Sequence, residues 1–146
     1  SEMVCIVRAD SELVNVDDIQ ALKDYRVMGQ LNTLYDEVIE QIEGIGSNHM
    51  TPQETYPRMV LSLKENETDA LTAELPVALS STATNPDLAI VRFAEGKGFV
   101  VDTSVSIALA KNSPIFDDVQ NALNAITSEQ REQIMMDAMN RQPRGE

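Results

Sequence analysis

Two short polar segments could together bind a small molecule that carries both charges. In the first, TDALTAELPVAL, a single carboxylate, Glu74, follows the apolar residues 70–73 and precedes Pro76. Because proline suits the first turn of a helix, Glu74 stands where a predicted buried strand gives way to a helix. Ligands of open α/β sheets bind at that edge. We therefore expect Glu74 to accept a cationic group.

The second segment, GQLNTLYDEV, offers the opposite chemistry at a matching place. Thr33 stands at the predicted start of a helix, where its hydroxyl and the amide of Leu34 suit a bound carboxylate. Gln30, at the end of the preceding predicted strand, is a candidate side-chain contact. A cation acceptor and an anion acceptor on one sheet edge predict a zwitterionic ligand, most simply an amino acid. The alternative is that Thr33 only caps its helix.

The composition excludes several classes of function. With 146 residues, of which 42% are hydrophobic and 24% charged, the chain fits one globular domain. The net charge of −13 argues against binding to nucleic acid or to an anionic membrane surface. A lone cysteine, Cys5, excludes an internal disulfide, and a lone His49 cannot form a zinc site. We therefore expect no enzyme, no catalytic residue, no metal and no cofactor.

The order of predicted elements indicates an α/β fold. Strands are predicted over residues 3–8, 25–30, 69–73, 88–93 and 105–110. Helices are predicted over residues 15–23, 33–43, 51–64, 75–81, 113–125 and 127–140. The alternation from Val27 to Phe93 predicts βαβ units, and hence a three-layer lobe with a mostly parallel sheet flanked by helices.

Sequence signals also specify several helix ends. Asn15 is a predicted helix cap, and the segments TPQE from Thr51 and TSEQ from Thr127 are predicted capping boxes. Asp69 lies at the opposite end of the same predicted strand as Glu74, and we interpret it as a turn or cap residue.

Four stretches resemble the amino-acid-binding proteins of ABC importers, in the polar-amino-acid branch of the type II periplasmic binding proteins. They are CIVRADSELVNVDDIQALKDYRVMGQ, YPRMVLSLKENETDALTAELPVAL, VDTSVSIALAKNSPIFDDVQNAL and ITSEQREQIMMDAMNRQP. The resemblance covers nearly the whole chain and implies a periplasmic-binding-protein-like fold. It implies that residues 1–146 are the second lobe of a two-lobe solute-binding protein, with its C-terminal return strand and helices, and that the first lobe is absent from this chain.

The resemblance also implies roles for the site residues. Glu74 matches the family acid that pairs with the α-amino group of the ligand, and Thr33 lies on the Gly-Thr segment that holds the ligand carboxylate. Asn32 stands where glycine is common, and Leu34 stands where a second hydroxyl residue is frequent. The implied function is binding of an extracellular amino acid by closure of two lobes, for delivery to the permease of an ABC transporter. The implied location is extracellular or periplasmic, with the parent protein lipid-anchored to the cell membrane.

Three other interpretations remain open. The same fold and site chemistry suit a ligand-sensing domain of a signalling receptor or ligand-gated channel. A small α/β enzyme and an interaction domain without a small ligand are the others. Surfaces that would meet the first lobe offer a route to a homodimer of the isolated lobe. The sequence does not specify which amino acid is bound.

Overall fold

The computed structural model describes residues 2–102 and 104–141. The chain, for which the sequence predicts a single domain, divides into two compact units on either side of residue 103, and each is described by itself. The first unit carries the sheet and the candidate site, and the second carries two helices. Among the described helices, none has the length and apolar character that a membrane span requires.

The first unit is built on a four-stranded sheet in the order β2-β3-β1-β4. Its strands are β1 (Met3–Arg8), β2 (Val27–Met28), β3 (Ala70–Glu74) and β4 (Leu88–Val91). β2 pairs in parallel with β3, whereas β1 pairs antiparallel with both β3 and β4. Three strands therefore run in one direction, and β1 runs against them in the middle of the sheet. The predicted α/β class is confirmed, and the direction of β1 is the feature that βαβ alternation does not reveal.

Of the three helices of this unit, two are shorter than predicted, and the third, predicted over residues 75–81, extends three residues further. They are α1 (Leu34–Glu37), α2 (Tyr56–Lys64) and α3 (Leu75–Thr84), with 3₁₀ turns at Glu12–Asn15, Ile19–Leu22, Val38–Gln41 and Gly46–Asn48. The prediction of a helix capped by Asn15 is wrong, because Asn15 ends a 3₁₀ turn. Asp18 caps the next one, accepting a hydrogen bond from the Gln20 amide at 2.9 Å.

The predicted capping box at Thr51 is also wrong. Gln53 pairs with the chain after β2: the Leu31 amide donates to the Gln53 carbonyl at 2.8 Å, and the Gln53 amide donates to the Gly29 carbonyl at 3.4 Å. These long-range bonds hold the backbone extended, so α2 begins later, at Tyr56, with Pro57 in its first turn.

The core lies on both faces of the sheet, because side chains alternate along β1. Met3, Cys5 and Val7 join one buried cluster, which also takes residues of the 3₁₀ turns around Leu13, Leu22 and Ile39. Val4 and Ile6 join the other, which contains residues of α2 and α3, namely Met59, Leu63 and Ala78. The sheet is therefore the middle of three layers, and the layers fix the positions of the loops at its edges.

The second unit contains α4 (Phe116–Asn124) and α5 (Ser128–Arg141). The predicted capping box at the start of α5 is confirmed: Gln130 Oε1 accepts from the Thr127 amide at 2.9 Å, and Thr127 Oγ1 accepts from the Gln130 amide at 3.2 Å. The predicted return strand over residues 105–110 is wrong, since no strand forms in the described part of this unit. Val105 is 98% exposed and Ile107 is 58% exposed. A strand needs a neighbour for its backbone groups, and an apolar sequence alone does not provide one.

Candidate functional site

Glu74 ends β3 and occupies the N-cap position of α3, as the sequence predicts for the strand-to-helix junction. Its backbone is extended, with φ −74° and ψ 148°, and its side chain makes no capping hydrogen bond to its own helix. The half-buried carboxylate instead accepts a hydrogen bond on Oε1 from the hydroxyl of Tyr35 in α1. The acid therefore faces the start of a different helix, across the carboxyl ends of β2 and β3.

Thr33 is the N-cap of α1, as predicted. Its Oγ1 accepts a hydrogen bond from the Tyr35 amide at 3.2 Å, and its hydroxyl donates to the Gln30 carbonyl at 2.7 Å. Leu34 is the first residue of α1, and its amide donates to no acceptor among the described residues. The capping role of Thr33 is confirmed, and contact with a ligand stays a prediction for both residues.

Tyr35 connects the two predicted halves of the site and is not among the site residues predicted from the sequence. Its carbonyl accepts a hydrogen bond from the buried Thr72 hydroxyl in β3, and its own hydroxyl donates to Glu74. Burial, reinforced by the hydrogen bond to Glu74, raises the pKa of Tyr35 to about 12. Its position two residues after the predicted cap is the one signal in the sequence that it lies near the site.

Two backbone positions shape the loop between β2 and α1. Asn32 adopts a left-handed conformation with φ +59°, which glycine and asparagine tolerate best. A Cβ added to Gly29 would lie 2.3 Å from the Asp36 Cα, so the chain passes too close to α1 for any side chain. The tight approach holds Tyr35 above the end of β3.

The side-chain amide of Gln30 is already engaged in a hydrogen bond within the fold. Its Nε2 donates to the Glu54 carbonyl at 3.0 Å, tying the end of β2 to the segment before α2. Its role as a ligand contact stays a prediction.

Nearby, His49 Nε2 lies 2.8 Å from Asp36 Oδ1. Cys5 is fully buried, and burial raises the pKa of its thiol to about 12, so the thiol stays protonated. Within residues 2–102 and 104–141, no group of three or more acids, histidines or cysteines could hold a metal ion.

A hollow of about 430 Å³ opens at the same edge of the sheet, where β1 begins and β4 ends. Met3, the β1 partner of Glu74 in the strand register, lies in its wall with the edge-to-face pair Phe93 and Phe99, whose ring centroids are 5.6 Å apart. Neither Glu74 nor Thr33 lines it. The polar site and the apolar hollow are therefore separate features of this edge.

Comparison with known proteins gives matches at the level of structure. No protein-family model and no curated protein matches the chain. Domain 2 of TmArgBP is 26% identical, with a TM-score of 0.56, over 63% of this chain and 96% of that one. Holo ArgBP from T. maritima is 26% identical, with a TM-score of 0.56, over 62% of this chain and 38% of that one. An amino acid ABC transporter substrate-binding protein from Streptococcus pneumoniae Canada MDR_19A, bound to L-arginine, is 19% identical, with a TM-score of 0.68, over 96% of this chain and 57% of that one.

These proportions define what the chain matches. It spans 41%, 38% and 58% of the length of three ArgBP chains but 96% of the isolated domain 2. The resemblance predicted from the sequence is confirmed: this chain is similar in structure to one lobe of the polar-amino-acid solute-binding proteins of ABC transporters.

Proposed function

We propose that this chain is one lobe of a two-lobe receptor that binds an amino acid outside the cytoplasm and delivers it to an ABC importer. One observation carries the proposal: an acid and the start of a helix face each other at the carboxyl ends of β2 and β3, joined by Tyr35. The likeness to solute-binding proteins, among them arginine-bound ones, supports an amino acid as the ligand class.

In this proposal Glu74 binds the ammonium group of the ligand. Among the described residues, no lysine, arginine or histidine pairs with Glu74. Its carboxylate has two oxygens with about four acceptor sites, and the Tyr35 hydroxyl uses only one of them. An ammonium would supply the missing positive charge through a charge-assisted hydrogen bond, which is stronger than a neutral one.

The start of α1 would bind the ligand carboxylate. The Leu34 amide is the available backbone donor, and the Thr33 hydroxyl would join it by turning its proton away from the Gln30 carbonyl. Asn32 sets the direction of these donors through its left-handed backbone, and Gln30 flanks them. These four residues and Glu74 form the proposed ligand-binding set.

A single lobe supplies only half of such a clamp. In the proposed mechanism the ligand is enclosed by a hinge movement that adds contacts from the opposite lobe. Without them we expect this chain to bind amino acids with a dissociation constant of about 1 mM or weaker, because loss of even one charged contact costs roughly 2–3 kcal/mol.

The proposal is tested by titrating the ¹⁵N-labelled chain with each standard amino acid to about 50 mM and following amide chemical shifts. We expect saturable shifts at α1 and at the β3–α3 junction with at least one amino acid. Glu74→Gln should weaken the binding that produces them at least about 10-fold, because a charge-assisted hydrogen bond is lost. Glu95→Gln, which removes the same charge from an exposed turn, should leave them unchanged. No saturable response in the panel, or equal behaviour of the two variants, would contradict the proposal.

A further inference from the structure

We infer that Tyr35 is the positioning residue of Glu74: its hydroxyl holds one carboxylate oxygen so that the other is presented to the ligand ammonium. The inference rests on the proposed function and adds to it a residue outside the predicted set. Tyr35 acts through Glu74 in this inference and makes no contact with the ligand carboxylate.

Tyr35 is itself held from three directions. Its amide donates to Thr33 Oγ1 at 3.2 Å, its carbonyl accepts from the Thr72 hydroxyl, and its own hydroxyl donates to Glu74. Thr72 is fully buried in β3, and its carbonyl accepts a further hydrogen bond from the Tyr56 hydroxyl at 2.8 Å. The phenol is therefore fixed relative to both α1 and β3, the two elements that the ligand would bridge.

Glu74 needs such an anchor. A glutamate at an N-cap has several rotatable bonds, and this one makes no hydrogen bond to the amides of α3. Because Tyr35 already holds the carboxylate in place in the free protein, ligand binding does not have to restrict the Glu74 side chain, and no further conformational entropy is lost there. The raised pKa of Tyr35, about 12, keeps the phenol protonated and therefore a donor at any physiological pH.

A neutral donor suits this role better than a cation would. Arginine or lysine in place of Tyr35 would neutralise the carboxylate and compete with the ammonium of the ligand. A hydroxyl leaves the negative charge in place and occupies one of the acceptor sites. Tyr35 thus orients Glu74 without removing the charge that attracts the ligand.

The test compares Tyr35→Phe, Glu74→Gln and the double variant by the same amide titration. L-arginine and desamino-arginine, which lacks the α-ammonium, are the first probes, and the matching pair is used for any other amino acid that binds. We expect Tyr35→Phe to weaken binding of the amino acid about 3–10-fold, since part of the orientation is lost. Binding of the desamino acid should not change, and Tyr35→Phe should have no further effect when Glu74 is already Gln.

Tyr25→Phe is the matched control. The Tyr25 hydroxyl also donates to a carboxylate, Glu12 Oε1 at 2.5 Å, but it lies before β2, at the other end of the sheet. This variant should bind both probes as the wild type does. If it weakens binding as much as Tyr35→Phe, the effect is one of general stability and the inference fails.

The outcomes separate the inference from the proposed function. If the wild type binds no amino acid, both fail. If Glu74→Gln loses binding and Tyr35→Phe does not, the positioning role fails and the proposed function stands. If Tyr35→Phe weakens both probes equally, Tyr35 does not act through the ammonium site and the inference fails.

A second measurement avoids the substitution at Tyr35 altogether. The chain has 3 tyrosines. In 3-fluorotyrosine-labelled protein, the ¹⁹F signal of Tyr35 is identified by elimination with Tyr25→Phe and Tyr56→Phe. It should shift on binding of the amino acid and not on binding of the desamino acid. An unchanged signal with the amino acid would overturn the inference.

Discussion

The two ends of β3 each carry a carboxylate, and the two differ in what surrounds them. Asp69, just before the strand, accepts hydrogen bonds at 2.9 Å from the amide, Nε and Nη2 of Arg26, and one at 3.2 Å from Arg8 Nη2. Glu74, at the other end, accepts from the neutral hydroxyl of Tyr35. The charge of Asp69 is satisfied within the fold, whereas that of Glu74 has no cationic partner among the described residues. The first arrangement is structural, and the second is suited to binding.

The same difference appears in the proton equilibria at the two ends. Burial alone would raise the pKa of the Asp69 carboxyl, but hydrogen bonds from Arg26 and Arg8 outweigh it and hold that pKa below its ordinary range. At the Glu74 end it is the tyrosine whose pKa is raised. The contribution of the Asp69 end to stability should therefore be lost at acid pH, and that of the Glu74 end at alkaline pH.

The largest effect on stability should come from breaking the Asp69 end. Asp69→Asn leaves Arg8, whose side chain is 19% exposed, and Arg26 without their carboxylate. We expect the free energy of unfolding in urea to fall by about 2–4 kcal/mol, chiefly because the largely buried Arg8 is left with an uncompensated charge, whereas Arg26 is 39% exposed and stays solvated. Asp87→Asn is the control, because Asp87 pairs with Lys64 at a 56% exposed position and such pairs contribute about 0–1 kcal/mol. Equal losses in the two variants would contradict a structural role for Asp69.

Gly29→Ala should disturb the Glu74 end alone. The new Cβ would lie 2.3 Å from the Asp36 Cα, so α1 must move, at a cost of about 1–3 kcal/mol in unfolding free energy. Amide shifts should change around Tyr35 and not around Arg26, and the response to amino acids should weaken. In the control, Gly98→Ala, the added Cβ meets the Phe93 Cβ at an ordinary 3.4 Å. A Gly29→Ala variant as stable as this control would show that the contact is not tight.

Local signals in the sequence predict the parts of the fold that depend on neighbouring residues. The cap at Thr33 and the box at Thr127 are hydrogen bonds between residues two or three apart, and both are confirmed. The similar box at Thr51 fails because Gln53 pairs with the chain after β2, more than twenty residues earlier. The predicted strand over residues 105–110 is wrong for the same reason, and the direction of β1 was not predicted at all, because strand pairing is decided by distant segments.

The candidate site shows the same limit. The sequence places Glu74 correctly at the end of β3, because an apolar run before proline is a local pattern. The sequence pattern predicts a turn or cap role for Asp69. It does not reveal the partners Arg26 and Arg8, because they are 43 and 61 residues away. Tyr35 is missed because its partner, Glu74, is 39 residues along the chain. Sequence patterns thus locate the carboxylates but do not identify the residues that give each its role.

Loss of stability at acid pH should depend on Asp69. Because the folded-state pKa of Asp69 lies below its ordinary value of 3.8, its contribution to stability is complete above that value and is lost as the pH falls through the folded-state pKa. Urea unfolding between neutral pH and pH 2 should show a steeper acid loss in the wild type than in Asp69→Asn. Parallel curves would mean that other carboxylates account for the acid loss.

Loss of stability at alkaline pH should depend on Tyr35, at the Glu74 end of β3. Its folded-state pKa of about 12 lies above the ordinary 10.0, so its contribution is complete below pH 10.0 and is lost as the pH rises toward 12. Tyr35→Phe should flatten the alkaline loss of stability, and Asp69→Asn should not. Burial also raises the pKa of Tyr56, and the hydrogen bond to Glu12 raises that of Tyr25, so the tyrosinate absorbance of the folded wild type is compared with that of folded Tyr35→Phe. The difference between the two curves reports Tyr35 and should appear later than tyrosinate in the urea-unfolded chain. A difference that coincides with the unfolded chain would contradict burial of Tyr35 against Glu74.

The smallest effect should come from two left-handed asparagines, one near each end of β3. Asn32, with φ +59°, precedes α1, and Asn66, with φ +61°, follows α2 on the way to Asp69. Alanine tolerates this conformation less well, so each Asn→Ala variant should lose about 1 kcal/mol of unfolding free energy, whereas Asn32→Gly should change it by less than ~0.5 kcal/mol. Only Asn32→Ala should also weaken the response to amino acids, because only this turn directs the donors at the start of α1. If Asn66→Ala weakens that response equally, the loss follows from general stability, and the division of β3 into a structural end and a binding end does not hold.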